Sequence, residues 1–259
     1  MMQVTVLGSG SAGNAVAVSW DGDLLLVDAG FSAKELQRRL NAAGLGERPV
    51  KGVLLSHEHG DHVKGARVFS ARRENAPAFA NSLTAERLMS SGKAPEALYI
   101  FANGMPFQVG GFTVEAFSIC HDAIDPVGFL ICSPAGRVAV ATDVGYLGKM
   151  VPRKLHNANI IVLESNHDPE LVRQSSRPPK VQQRIMGRRG HLSNADAMAA
   201  LPDIVGPDTR HLVLAHLSSD CNCPKLAADL ANKHLSDLGR ADVTVSVALQ
   251  HDVMPPLQA

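Results

Sequence analysis

Six residues constrain this chain more than any others: His57-Glu58-His59-Gly60-Asp61-His62, directly after the apolar run Val53-Leu54-Leu55-Ser56. Three imidazoles and an aspartate crowd the loop that leaves a buried strand. Without a shared cation such a cluster would carry a heavy desolvation cost. In a loop, His57 and His59 can point to one ion while Asp61 and His62 turn to another. The stretch is not the H-E-x-x-H helix of the zincins, because position 61 is Asp where a second His is needed. Two ions need more ligands than one loop supplies. His121 follows the apolar strand Phe112–Ile119, His216 follows Leu212–Ala215, and Asp143 follows Val138–Ala141. All three stand just past the end of a strand, where sites collect in layered α/β proteins. A carboxylate at Asp143 can bridge two cations. His156, His211, His234 and His251 are expected at the surface or at strand ends. His167 lies beside Glu164 and is a candidate for supporting the ligands.

Composition bounds the rest. With 259 residues, 45% hydrophobic and 19% charged, the chain can bury a large core and is not disordered. Lys plus Arg is 25 and Asp plus Glu is 25, which excludes a protein that binds nucleic acid along its whole length. An anionic substrate must be held by a local patch. At 4% aromatic, aromatic stacking platforms for single strands are not expected. No apolar stretch approaches the roughly 18–20 residues needed to cross a bilayer. Met1-Met2-Gln3-Val4-Thr5-Val6 lacks a basic start and does not read as a signal peptide, so a cytoplasmic location is expected. The four cysteines, Cys120, Cys132, Cys221 and Cys223, are expected to be free thiols; Cys221-x-Cys223 lacks a second pair at zinc-finger spacing.

The element pattern predicts strands at Val4–Leu7, Ala15–Trp20 and Leu24–Val27, with Asp21-Gly22 as a hairpin turn. Ser32-x-x-Glu35 is a capping box for a helix carrying Leu36, Leu40 and Ala43. Gly52–Ser56 is a buried strand, and a helix follows near Val63–Arg73. Short strands fill the middle: Tyr99–Phe101, Phe107–Val109, Phe112–Ile119, Val127–Cys132 and Val138–Ala141. Strand Ile160–Leu163, helix Ser193–Ala200, strand Leu212–Ala215, helix Pro224–Leu235 and strand Val243–Val247 complete the chain. The pattern predicts one domain, residues 1–259, of two sheets with helices on their outer faces. Gly8-Ser9-Gly10-Ser11-Ala12-Gly13 matches a dinucleotide-binding fingerprint, with Asp28 about where a ribose ligand would stand. That fingerprint must open a helix, and Asn14-Ala15-Val16-Ala17-Val18 is strand chemistry. The loop reads as a tight turn, with its backbone N–H groups available to an anionic substrate.

H-x-H-x-D-H after a strand, then a His, an Asp and a His in that order, resembles the metallo-β-lactamase superfamily over nearly the whole chain. The resemblance implies an αββα sandwich, two mixed β-sheets flanked by helices, with two metals at one edge between the sheets. It makes Asp28 a structural aspartate. It implies His57, His59 and His121 on one ion, Asp61, His62 and His216 on the other, and Asp143 as the bridge. Glu164, in Leu163-Glu164-Ser165-Asn166-His167-Asp168, and His191, in Gly190-His191-Leu192-Ser193-Asn194, resemble the acidic and histidine motifs of the tRNA 3′-processing and related nucleases. There the pair assists proton transfer to the leaving group. With Ala215-His216-Leu217-Ser218 the set is most similar to the YycJ/WalJ-like branch, described as DNA 5′→3′ exonucleases. This chain departs from the branch at Cys221-Asn222-Cys223 and at Val144.

Charge agrees with a phosphodiester substrate. From Arg173 to His191 stand Arg173, Arg177, Lys180, Arg184, Arg188 and Arg189 without one Asp or Glu. Lys64, Arg67, Arg72 and Arg73 follow the histidine loop. Arg184, Arg188 and Arg189 are the expected phosphate-binding residues, through bidentate hydrogen bonds. The expected protein is therefore a dinuclear metallohydrolase of nucleic-acid phosphodiesters, with DNA favoured over RNA. Its two divalent cations are expected to be zinc, with manganese or iron as alternatives. A water shared by the ions, acidified to a pKa of about 7, is the expected nucleophile, with Asp61 orienting it. His191, oriented by Glu164, is the expected acid. The rival reading is a small-molecule hydrolase of the same fold, a thioesterase or a cyclic phosphodiesterase. A flavin-linked oxidoreductase would need a further module, and a non-catalytic binding module would not need a full ligand set. Oligomeric state stays open.

Overall fold

Apolar residues with a period of two dominate the strands, and that period decides which side chains meet. In the computed structural model, which describes residues 1–259, the strands form two sheets of seven. The first holds β1 (Gln3–Gly8), β2 (Ala15–Trp20), β3 (Asp23–Val27), β4 (Val50–Leu54), β5 (Ala78–Asn81) and β6 (Leu98–Phe101). The second runs β7 (Phe107–Val109), β8 (Phe112–Ser118), β9 (Val127–Ser133), β10 (Gly136–Ala141), β11 (Ile160–Glu164), β12 (His211–Ala215) and β13 (Thr244–Val247). The last strand, β14 (Leu257–Gln258), returns to pair with β1 in the first sheet. Both sheets are mixed. Antiparallel hairpins open each one, and the later strands of each run parallel, as β3–β4–β5–β6 and β10–β11–β12–β13.

Parity assigns the core. Val4, Val6, Leu25 and Val27 of the first sheet meet Phe129, Ile131, Val138, Val140 and Val162 of the second. The alternate residues face outward. Leu24 and Leu26 pack under α1 (Ala33–Ala42), and Phe69 of a later helix joins them. Ala139, Ile161 and Leu163 pack under the helices of the second half. Burying one such side chain stabilises the fold by roughly 1.5–3 kcal/mol. Helices outside, sheets inside: this is the expected αββα sandwich.

Most predicted elements stand where the pattern puts them, to within one or two residues. Asp21 and Gly22 both adopt positive φ, +49° and +86°, as the tight hairpin needs. Ser32 accepts the Glu35 N–H at 3.2 Å, but the Glu35 carboxylate turns to Arg38 and Arg39 instead of closing the capping box. The glycine-rich loop feeds β2, as its strand chemistry requires. The helix expected near Val63–Arg73 is two, α2 (Gly60–Val63) and α3 (Ala66–Arg72), separated at Gly65, whose N–H donates to Ala29. The sequence pattern did not disclose β5, β14, α4 (Ser82–Ser90) or α5 (Met150–Leu155). It also missed α6 (Pro169–Gln174) and α7 (Pro179–Met186), the short helices of the basic segment, and α9 (Leu201–Ile204). These are two to nine residues long, too short to show a period. The remaining helices, α8 (Asn194–Ala199) and α10 (Pro224–Asp237), match expectation, and Ser193 caps α8 by accepting the Asp196 N–H.

Candidate metal centre

Three of the candidate residues sit just beyond the ends of their strands in an uncommon backbone conformation. Asp28 (φ +63°), Asp143 (φ +57°) and His216 (φ +55°) are left-handed although none is glycine. Parity explains why. Val27, Val140 and Ala215 face the space between the sheets, so by continued alternation Asp28 and His216 would face outward. A left-handed step breaks the alternation and brings these side chains to the edge shared by both sheets. Such strain persists where the surroundings over-determine it, and it clusters at functional sites. Glu164 needs no such step: on β11 it continues the inward row Ile160, Val162.

The first sheet supplies the histidine loop, held from behind. Asn14 N donates to Asp61 O, and Ala29 N to His62 O, each at 2.8 Å. Gly30 lets this approach happen, since a Cβ there would stand 1.6 Å from Asp61 O. Asp28 accepts from Ser56 N (2.8 Å), Ser56 Oγ (2.9 Å) and His62 Nδ1 (2.7 Å). That contact fixes the His62 tautomer and leaves Nε2 facing the site. His57 Nδ1 is 3.0 Å from Ser56 Oγ. Glu58, the carboxylate inside the motif, points away and accepts the Ile124 N–H at 3.0 Å, which ties the histidine loop to the His121 loop.

The second sheet supplies one residue per strand. His121 donates from Nδ1 to Gly190 O at 2.9 Å. Glu164, fully buried, uses both oxygens. Its Oε2 accepts from Val144 N (2.6 Å) and Leu192 N (3.2 Å). Its Oε1 accepts from His191 Nδ1 at 2.8 Å and His216 Nδ1 at 2.9 Å. One carboxylate oxygen therefore aims two imidazoles.

The expected ligands come together as two adjoining groups. Donor atoms of His57, His59 and His121 lie within 4.8 Å of one another, and so do those of Asp61, His62 and His216. Asp143 lies between them, its Oδ2 2.8 Å from His62 Nε2 and its Oδ1 3.5 Å from His121 Nε2. A third group, Asp143, Glu164, His191 and His216, puts His191 at the margin. A divalent-metal site is supported by an atomic detail: His57 Nε2 and His216 Nε2 are buried and have no hydrogen-bond partner. Orphaned imidazole nitrogens converging on carboxylates are a costly arrangement that cations satisfy. The donor set fits.

The charges follow from burial and neighbours. Burial alone would raise Asp143, but His216 and His62 hold it well below the usual carboxylate range. Burial opposes charge on His216, yet Asp143, Asp61 and Glu164 push it up to about 10. Burial and the adjacent His62 drive His57 well down. His191, half-buried against Glu164, is held up by that carboxylate although desolvation opposes it.

Other candidates are placed differently. Arg184, Arg188 and Arg189 do not form a free row: Arg184 Nε donates to Asp122 at 2.6 Å, Arg189 Nε to His121 O at 3.3 Å, and the Arg188 guanidinium lies over the Tyr146 ring. His167 is buried beside Ser193 and outside both groups. Sequence reasoning missed Asn14 and Ser9. Asn14 Nδ2 lies 3.1 Å from His62 Nε2 and 3.4 Å from Asp61 Oδ2, and Ser9 Oγ accepts the His216 N–H at 2.9 Å. The glycine-rich loop thus touches both halves of the centre, and its Ser-x-x-x-x-Asn spacing was the available signal.

The sandwich and its edge-on histidine–aspartate centre define a metallohydrolase of two-sheet architecture. The chain belongs to the β-lactamase superfamily: a model described as beta-lactamase superfamily domain matches residues 24–217. It is 37% identical to a Bacillus anthracis protein named exodeoxyribonuclease YycJ, over 92% of this chain and 90% of that one. It is 31% identical to a Streptococcus pneumoniae protein named exodeoxyribonuclease WalJ, over 97% and 94%. In fold it is similar to the crystal structure of the metallo-β-lactamase fold protein YhfI from Bacillus subtilis, at a TM-score of 0.73, 18% identity, and coverage of 98% and 99%. No helix is long and apolar enough to cross a membrane.

Proposed function

We propose that this chain is a cytoplasmic, dinuclear metal-dependent nuclease that cleaves phosphodiester bonds in DNA, in preference to RNA, as a 5′→3′ exonuclease. His57, His59 and His121 would hold one cation and Asp61, His62 and His216 the other, with Asp143 between. Imidazole-rich donors suit zinc, with manganese or iron as alternatives. Bound there, divalent cations supply positive charge for the phosphoryl oxygens and acidify a water.

The observation that carries the reading is the Glu164–His191 pair. His191 stands beside the ligand groups but outside the two that match the expected ion sites. Its side chain is 24% exposed, where those of His62, His121 and His216 are nearly enclosed. Glu164 holds its Nδ1, so Nε2 is left to meet a leaving oxygen and deliver a proton. Glu164 also favours the cationic ring that such a donor requires. Asp61, half-buried at the opposite side of His216, orients the attacking water. Arg184, Arg188 and Arg189 of the adjoining segment bind the substrate there, Arg184 and Arg189 through its phosphate backbone once their present partners yield. Kinship over most of the chain with proteins named exodeoxyribonuclease supports the same substrate class.

The test is incubation with end-labelled single- and double-stranded DNA and RNA, with and without added zinc or manganese. The expected outcome is metal-dependent shortening of DNA from its 5′ end. Activity confined to small phosphodiesters or thioesters, independent of polymer length, would replace this reading with the small-molecule one.

A further inference from the structure

Only two tyrosines occur in the chain, and one of them, Tyr146, closely follows a candidate ligand. Tyr146 follows Asp143 by three residues, and three residues of chain span at most about 10 Å. The residue is 47% exposed. Its backbone bridges to Cys120, which precedes His121, and Gly145 N donates to Cys120 O at 2.7 Å. On its other side the segment abuts the chain that carries His191. A Cβ on Gly145 would lie 2.5 Å from Arg188 O and 2.7 Å from Gly190 N, so only glycine permits this approach. The contact delivers Arg188, whose Cζ lies 4.2 Å from the Tyr146 ring centroid. Arg173, Arg177 and Arg184 of the same segment are each paired with an acid, and Arg188 is not. An exposed ring and an unneutralised guanidinium are thus held together on segments that adjoin those carrying a candidate ligand, His121, and the candidate acid, His191.

Neither group serves the core. Both are flat and both stack on nucleobases, and an arginine adds cation–π attraction. We infer that Tyr146 and Arg188 form a stacking platform for the base of the unpaired nucleotide next to the scissile phosphate. This rests on the nuclease reading and deepens it. A low aromatic content excludes a long row of platforms, but one ring suffices where a single nucleotide must be steadied over the metals. Every base has a π face, so the platform tolerates any sequence. It also requires an unstacked base, so it favours single-stranded or frayed ends over intact duplex.

The test compares kcat/KM on an end-labelled single-stranded oligonucleotide and on the same strand with abasic sites near its cleaved end. The proteins are the metal-loaded full chain, Tyr146→Ala and Tyr146→Phe. Metal content and melting temperature serve as controls for folding. Tyr146→Ala should lose roughly 10-fold to 100-fold on the normal strand, the scale of one lost base stack, and Tyr146→Phe should retain most of the rate. The abasic strand should cost the wild type a similar factor and cost Tyr146→Ala little more, because both changes remove the same contact. Equal losses by Tyr146→Ala on both strands would make the ring structural. No loss on either would make it a bystander. In both cases the nuclease reading survives and the platform falls. Failure of the loaded wild type to cut either strand would overturn the nuclease reading, and the platform with it.

Discussion

The two halves of the sandwich build their shares of the centre in opposite ways. The first sheet gathers His57, His59, Asp61 and His62 on one loop and braces that loop from behind with Asp28, Asn14 and Gly30. The second sheet spreads His121, Asp143, Glu164, His191 and His216 over nearly a hundred residues of chain and lets strand ends bring them together. A contiguous loop can be held largely by its backbone, as the Asn14–Asp61 and Ala29–His62 bonds show. A dispersed set needs a side chain to tie its members, and Glu164 is that tie. The lesson is an unequal dependence. In the first half one carboxylate, Asp28, aims one imidazole. In the second half one carboxylate oxygen aims two.

That inequality can be tested by matched substitutions. Glu164→Gln should be the most damaging, since it disturbs His216 as the proposed ligand and His191 as the proposed acid together. Its rate should fall on the order of 10³-fold or more, combining a proton-transfer loss with a misaimed ligand. Asp28→Asn should cost roughly 10-fold to 100-fold in metal affinity, the usual scale for a group behind a ligand. Steady-state rates and metal titrations of both variants check the order. Equal losses would remove the distinction between the halves.

His191→Ala isolates one arm of the Glu164 tie. It should retain both metals and lose roughly 10²–10⁴-fold in rate. Elemental analysis beside the rate measurement decides it, because loss of a cation would make His191 a ligand.

The smallest effect sharpens the electrostatic side of the comparison. With metal removed by a chelator, His216 is held at about 10, above its ordinary value of 6.5. Between those values the folded chain binds more protons than the unfolded one, so stability falls as pH rises. The melting temperature of the metal-free protein should therefore drop from about pH 6.5 to pH 10, the window set by the raised His216 value. His216→Gln should flatten that slope, which differential scanning fluorimetry would read directly.

How much of this was legible in the sequence follows the same division. His57–His62 announced itself because four candidate ligands fall within six residues. His121, Asp143 and His216 were legible only as polar residues after apolar strands, a placement argument that the resemblance then ordered. The double hold of Glu164 was not legible. It depends on parallel register, which pairs Glu164 with Ala215 and so places it next to His216. The partner of Arg184, Asp122, lies 62 residues away, and no local pattern announces such a pairing. Asn14 was passed over because its loop imitates a nucleotide-binding turn. The fold was clear wherever strands were long enough to show their period, and unclear at β5, α4, α6 and α7, where they were not.

The central claim is that both halves together hold two cations. Elemental analysis of the full chain, saturated with zinc and then freed of loosely bound ions, tests it most directly. The account predicts two ions per chain; a value of one or fewer would contradict it.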